Sequence, residues 1–196
     1  MGTDDLNPAA CAVFLMAAFI MAGFCQAAWL GSEYSRRFAF PLDAGCTWRG
    51  RRLLGDNKTA RGFMVMVPAT AFSFAALAAI TGMTATGPTG LWSLSPASYL
   101  VAGFWAGIGF MAGELPNSFV KRQLGIAPGA SPKGRGASAF CFVIDRLDSV
   151  LGMLVVLSLA VPVPWRAWLY VLTTGPALHG AFSVLVFHLG GKARAA

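Results

Sequence analysis

Five stretches of the chain stay apolar long enough to shape its architecture. They run from about Ala9 to Gly31, Gly62 to Met83, Ser98 to Gly113, Ser138 to Val163 and Ala167 to Leu189. A helix rises about 1.5 Å per residue and needs roughly 17–25 residues to cross a bilayer. Each stretch therefore predicts a membrane-spanning helix. The third is the weakest, because Pro116 follows it closely and is expected to kink or end it. The predicted fold is all-α: an integral membrane protein built as a bundle of about five transmembrane helices. Residues 1–196 are expected to form a single transmembrane domain, with polar loops at about 32–61 and 114–137.

Composition supports this reading. The 196 residues are 56% hydrophobic and 12% charged, with a mean hydropathy of +0.62. A soluble domain averages about 25% charged residues, so a soluble globular domain, a disordered chain and a disulfide scaffold are all excluded. The net charge is +7, and its placement is informative. Apart from Arg146 and Arg166, every Lys and Arg lies between spans one and two, between spans three and four, or after span five. The N-terminus carries Asp4 and Asp5 and no base. Excess Lys and Arg marks the cytoplasmic side. The N-terminus is thus expected outside and the C-terminus inside, in a multi-pass protein of the cytoplasmic membrane. An acidic N-terminus also argues against a cleaved signal peptide, so span one is expected to be retained. The four cysteines form no C-x-x-C pair and read as small apolar residues rather than as metal or redox groups.

Candidate chemistry begins in span four, which carries Asp145, Arg146 and Asp148 inside an apolar run. A charge at the centre of a spanning helix costs roughly 2.5–3.5 kcal/mol, so three are not retained idly. The spacing of three puts both carboxylates on one helical face, and such a pair suits a hard divalent ion such as Mg²⁺. Glu114, at the end of span three, could complete the set. The plainer reading is an interfacial cluster that shortens the span.

The loop before span two interleaves glycines at 45, 50, 55 and 62 with Arg49, Arg51, Arg52, Asp56, Asn57, Lys58, Thr59 and Arg61. Glycine lets a backbone approach phosphate closely, and Lys, Arg and Thr supply donors. A polyphosphate cradle is one reading, and a basic loop on anionic headgroups is the other. Asn117, Ser118, Lys121 and Arg122 follow Glu114, and Gly125–Gly136 reads as a mobile loop. Just before, Gly103, Gly107, Gly109 and Gly113 read as close helix packing. His179 and His188 read as packing or interfacial residues, and Trp29, Trp92, Trp165 and Trp168 as an interfacial belt.

Taken together, Trp48-Arg-Gly-Arg-Arg with Gly55-Asp-Asn-Lys-Thr-x-Arg-Gly, Ser118-Phe-Val-Lys-Arg with Gly125-Ile, and Asp145-x-Leu-Asp148 resemble the CDP-archaeol synthase family. These are the small members of the CTP-dependent lipid cytidylyltransferases, related to phosphatidate cytidylyltransferase. The sequence differs from the family pattern at Glu114 and Asn57. It also lacks the His-Gly-Gly run that precedes the Asp pair in the larger enzymes.

The resemblance implies transfer of CMP from CTP to a lipid phosphate with release of pyrophosphate. It implies Mg²⁺ at Asp145 and Asp148 with Glu114, and Lys121 beside them in catalysis. Arg49, Arg52, Asp56, Asn57, Lys58, Thr59, Arg61, Ser118 and Arg122 are implied at the nucleotide. The partners implied are CTP, a membrane lipid phosphate and the bilayer, with no nucleic acid; a homodimer is compatible. A lipid phosphate monoester, mostly dianionic near pH 7 since its second pKa is about 6, needs no general base, so the lack of a well-placed His or Cys nucleophile does not exclude an enzyme. Two other readings stay open: an ion or solute transporter using Asp145, Arg146 and Asp148, and a non-catalytic scaffold.

Overall fold

The computed structural model describes residues 5–84, 90–130, 132 and 134–189. Asp4, Lys133, Lys192 and Arg194, which enter the charge map, lie outside them. Five long helices dominate: α1 (Pro8–Gly31), α3 (Ala60–Thr84), α4 (Pro96–Gln123), α5 (Arg135–Ala160) and α6 (Trp165–His188). Between α1 and α3 lie a one-turn helix, α2 (Glu33–Arg36), and a two-stranded hairpin, β1 (Thr47–Trp48) with β2 (Arg51–Arg52).

The helix starts follow local chemistry. Asn7 caps α1, its Oδ1 accepting from the backbone N–H groups of Ala9 and Ala10 at 3.0 and 3.2 Å, and Pro8 takes the first helical position. Ser95 and Pro96 repeat the device at α4.

Helices of 24–28 residues are about 36–42 Å long, enough to cross a hydrocarbon core of about 30 Å. By length and composition α1, α3 and α6 qualify as spans. The other two are as long but carry charges: Glu114, Lys121 and Arg122 on α4, and Arg135, Asp145, Arg146 and Asp148 on α5.

The five helices close a ring in which α1 packs on α3, α3 on α4, α4 on α5, α5 on α6 and α6 on α1. Their directions alternate. Asn7 N–H donates to Gly90 O at 2.8 Å and Trp92 Nε1 to Pro162 O at 2.6 Å, which places the starts of α1 and α4 beside the end of α5. At the other end Trp29 Nε1 donates to Arg61 O at 3.1 Å, joining the end of α1 to the start of α3. The first end is closed by aromatic packing: Phe14 meets Phe74, Trp92 and Tyr99 at ring distances of 5.2, 6.0 and 5.5 Å. Trp92 is therefore a buried residue with a hydrogen-bonded indole, not a member of a lipid-facing belt.

Two further expectations are corrected here. Pro116 does not end its helix; α4 continues seven residues past it to Gln123. Membrane helices tolerate an internal proline where neighbouring elements re-satisfy the freed backbone groups. The second loop consequently starts near 124, and Glu114, Asn117, Ser118, Lys121 and Arg122 project from a helix. The glycines of α4 do serve packing, on two faces. A Cβ on Gly103 or Gly107 would meet α3 at Ala71, Phe74 or Val67, 2.8–2.9 Å away. A Cβ on Gly113 would overlap the carbonyl of Asp148 on α5, and Gly109 faces Gly152.

Candidate functional site

The close α4–α5 crossing decides what the polar residues can touch. With no side chain at Gly109, Gly113 or Gly152, the two backbones approach until α4 side chains reach the acidic face of α5. Asn117 Nδ2 then donates to Asp145 Oδ1 at 2.6 Å and to Asp148 Oδ2 at 2.9 Å. Lys121 Nζ donates to both Asp145 oxygens, 2.6 Å for Oδ2. Glu114 pairs with Lys58 and accepts from Ser149 Oγ at 2.8 Å, which also lies 3.3 Å from Asp148 Oδ1. His179 on α6 brings Nε2 to 3.8 Å from Glu114 Oε1. Four elements thus meet in one polar network around the middle of α5.

Lys58 reaches this network because its backbone is pinned. Leu42 N–H donates to Lys58 O at 2.8 Å and Ala60 N–H to Phe40 O at 2.9 Å, a short antiparallel pairing around Pro41 and Thr59. Burial works against the charged ammonium, but Glu114, with Asp148 and Asp145 behind it, outweighs that and raises the Lys58 pKa. Lys58 therefore stays cationic across the physiological range.

The loop has its own hub in Asp43, whose side chain is fully buried. It accepts from Arg52 Nη2 at 2.6 Å and from the backbone N–H groups of Gly45, Leu54 and Gly55 at 3.0–3.2 Å. The Arg52 guanidinium, helped by those N–H groups and opposed by burial, holds the Asp43 carboxyl well below the usual carboxylate range. Gly45 and Gly50 take positive φ in turns with open space around them. Gly55 is different: at φ 96° a Cβ there would stand 2.9 Å from Pro128 and 3.3 Å from Arg122 Nη1. That glycine lets the first loop dock on the segment after α4. Gln123 Nε2 completes the seam, donating to Arg52 O at 3.3 Å.

Below this docked lid lies a cavity of about 800 Å³. Its wall carries Asn57, Lys58, Thr59, Arg61, Glu114, Asn117, Ser118, Lys121, Arg122, Asp145, Arg146, Asp148 and His179. Apolar residues such as Phe19, Phe110, Met153, Phe182 and Val186 line the same cavity. Arg122 is notable there. It is 8% exposed, its Nη2 donates to Ala127 O at 3.2 Å, and among the described residues its Nε and Nη1 have no hydrogen-bond partner. A buried guanidinium left half-satisfied is costly, so it is a natural receptor for an anion.

Most residues expected at a nucleotide line this cavity; Arg49, Arg52 and Asp56 do not. Arg49 sits at the exposed hairpin turn with φ 52°, while Arg52 bridges Asp43 and Asp56 at 2.6 and 2.9 Å. These residues hold the loop's shape. Asn117 and Ser149, polar residues not singled out for the site, turn out to bridge its carboxylates; His179, read as packing, approaches Glu114 alone. Asn117 and Ser149 carry a signal in hindsight, Asn117 lying three residues after Glu114 and Ser149 four after Asp145, on the same helical faces. His179 carries none, since only the ring closure brings α6 to Glu114.

The three-carboxylate metal set is not gathered. Among the described residues no three His, Cys, Asp or Glu side chains converge to hold an ion. Glu114 is turned to Lys58 and Ser149 instead. Asp145 and Asp148 do converge, on a single amide nitrogen of Asn117. Two hard oxygen donors around a positively polarised N–H₂ are compatible with a divalent cation taking that position.

Residues 13–194 match the family described as CarS-like: CDP-archaeol synthase. Among curated relatives, the CDP-archaeol synthase of Methanospirillum hungatei is 32% identical over 160 residues, 78% of this chain and 87% of that protein. The Halobacterium salinarum protein of the same name is 36% identical over 160 residues, with 78% and 81% covered. A solved structure described as an intramembrane enzyme for archaeal membrane lipids biosynthesis superposes with a TM-score of 0.58 at 27% identity, covering 87% of this chain and 90% of the other.

Proposed function

We propose a reaction from one premise: this chain belongs to the CarS-like CDP-archaeol synthase family. It is a membrane cytidylyltransferase that moves CMP from CTP to a lipid phosphate. A phosphate oxygen of the lipid attacks the α-phosphorus of CTP. The bond from that phosphorus to the bridging oxygen of the β-phosphate breaks, and pyrophosphate leaves with the electron pair. The observation that carries this reading is a single cavity whose wall brings Lys58, Lys121, Arg122, Asp145 and Asp148 together with a large apolar lining.

The obstacle is electrostatic, because two polyanions must approach within bonding distance. Lys58, Lys121 and Arg122 are placed to take triphosphate oxygens, and Arg122 has donors to spare. Thr59 and Ser118 add hydroxyls in the same wall. Preorganised donors of this kind stabilise the charge that develops in phosphoryl transfer. Asp145 and Asp148 would hold Mg²⁺, which when bound supplies charge neutralisation at the phosphates. Asn117 and Lys121 keep those carboxylates aligned on the cavity side.

Arrangement of the rest of the bundle favours an enzyme over a transporter. The ionisable residues of the network lie between mid-bundle and the loop end, and the other end is closed by Phe14, Phe74, Trp92 and Tyr99. The test is incubation of purified protein with CTP labelled at the α-phosphate and a defined lipid phosphate. Label in the lipid fraction that depends on Mg²⁺ is the expected result. Label that stays in the aqueous phase with every lipid phosphate offered overturns the reading.

A further inference from the structure

Cations flank the Asp145–Asp148 pair on two sides, and the reaction above uses one of them. Lys58, Lys121 and Arg122 approach from the loop and α4. Arg146 and His179 stand on the other side, at the seam between α5 and α6. Arg146 lies flat on Phe142, its guanidinium carbon 3.4 Å from the ring centroid, and Nη1 donates to Phe142 O at 3.1 Å. It is absent from the ion pairs formed by the described residues. On α6 a Cβ at Gly180 would stand 3.2 Å from Arg146 Nε, so the glycine leaves room for this arm against the helix. His179, the preceding residue, packs edge-on against Phe110 with ring centres 5.5 Å apart. Both Arg146 and His179 line the cavity that Phe19, Phe182 and Val186 also line.

A cation and an imidazole at the border of an apolar cleft match one kind of ligand: a phosphate carried on hydrocarbon chains. Arginine is suited to phosphate through its fork of donors. Placement matters as much as charge. The cations that bind a triphosphate cannot also present the attacking phosphate from the opposite side of the α-phosphorus, and in-line displacement needs the two anions on opposite sides. We infer that Arg146 and His179 form the acceptor site. They bind the phosphate of the lipid substrate while its chains lie in the cavity along α6, towards Phe182 and Val186. The inference rests on the proposed reaction for the phosphate's role as acceptor; as a binding site it rests on the cavity alone.

The test separates the two. Full-length protein in neutral detergent micelles, without CTP, is titrated with a diacylglycerol phosphate and a dialkylglycerol phosphate, each beside its phosphate-free counterpart. CTP binding is measured on the same preparations and reports that each variant is folded. The parent should prefer the phosphate form. Loss of a charge-assisted contact in Arg146→Gln should weaken lipid-phosphate binding about ten-fold or more. His179→Asn should weaken it less, and Arg146→Lys should restore part of it. CTP affinity should stay within about two-fold of the parent in the Arg146 variants, since no triphosphate contact is removed. Unchanged lipid-phosphate affinity in Arg146→Gln with His179→Asn overturns the inference, as does a loss confined to CTP. A parent that binds lipid phosphate through these residues yet transfers no CMP leaves the acceptor site standing and overturns the reaction.

Discussion

Two partners compete for the ammonium of Lys58. In the structure it is taken by Glu114; during turnover it is proposed to face the triphosphate. Lys58→Ala removes a charge-assisted contact worth roughly 1.5–3 kcal/mol, so kcat/KM for CTP should fall about ten- to hundred-fold. The same change leaves Glu114 without its lysine partner inside a part-buried network. Melting temperature should therefore fall too. Combining Lys58→Ala with Glu114→Gln should recover the melting temperature and leave the CTP defect. Recovery of both would mean that Lys58 acts only through the fold. Asp148→Asn keeps shape and loses a ligand charge, so turnover should drop by orders of magnitude while expression holds; near-parental activity at low Mg²⁺ would remove the metal role. The sequence made Asp145, Asp148, Lys58 and Lys121 legible because charge in an apolar span or glycine-rich loop is conspicuous. It hid Asp43 and Ser149, whose importance comes from backbone N–H groups and a helix that only the folded chain brings near.

At the scale of elements, the α4–α5 crossing and the docked loop carry the site. Gly113→Val should be severe, because its branched side chain meets the Asp148 backbone, which cannot swing away. Overpacking costs about 1–3 kcal/mol in ordinary cores. Here it should also abolish CMP transfer, by lifting Asn117 and Lys121 off the carboxylates with every polar residue still present. Full activity in Gly113→Val would show that the crossing is not what positions them. The loop depends on Asp43, whose carboxyl pKa is depressed in the fold. Its stabilising effect is complete above the unfolded value of about 3.9 and is lost only as pH falls through the lower folded value. Proteolysis at Arg49 and Arg51 should accordingly be slow and flat from about pH 8 to 5, and fast at all those pH values in Asp43→Asn. The α4 glycines were legible from their spacing. Continuation of α4 through Pro116 was not, since the local rule for proline breaks where surrounding helices satisfy the freed carbonyl.

On the scale of the whole molecule, the alternating ring collects the polar cavity and the basic loops at one end. The positive-inside rule predicts that this end is cytoplasmic, where CTP would be available, and that all five long helices span. Reporter fusions after Gly90 and after Gly191 should report opposite sides of the membrane; the same side for both contradicts five spans. The bundle and its membrane setting were legible from apolar length alone. Ring closure between α1 and α6 was not, because contacts between the first and last helices have no signature in local pattern. The central claim is that the cavity joins the CMP unit of CTP, and no other part of it, to a lipid phosphate. Parallel incubations with CTP labelled at the α- or the γ-phosphate test it most directly. The account predicts α-label in the lipid fraction, γ-label in pyrophosphate, and neither transfer with Asp148→Asn. Label from the γ-phosphate in the lipid, or from neither position, would contradict it.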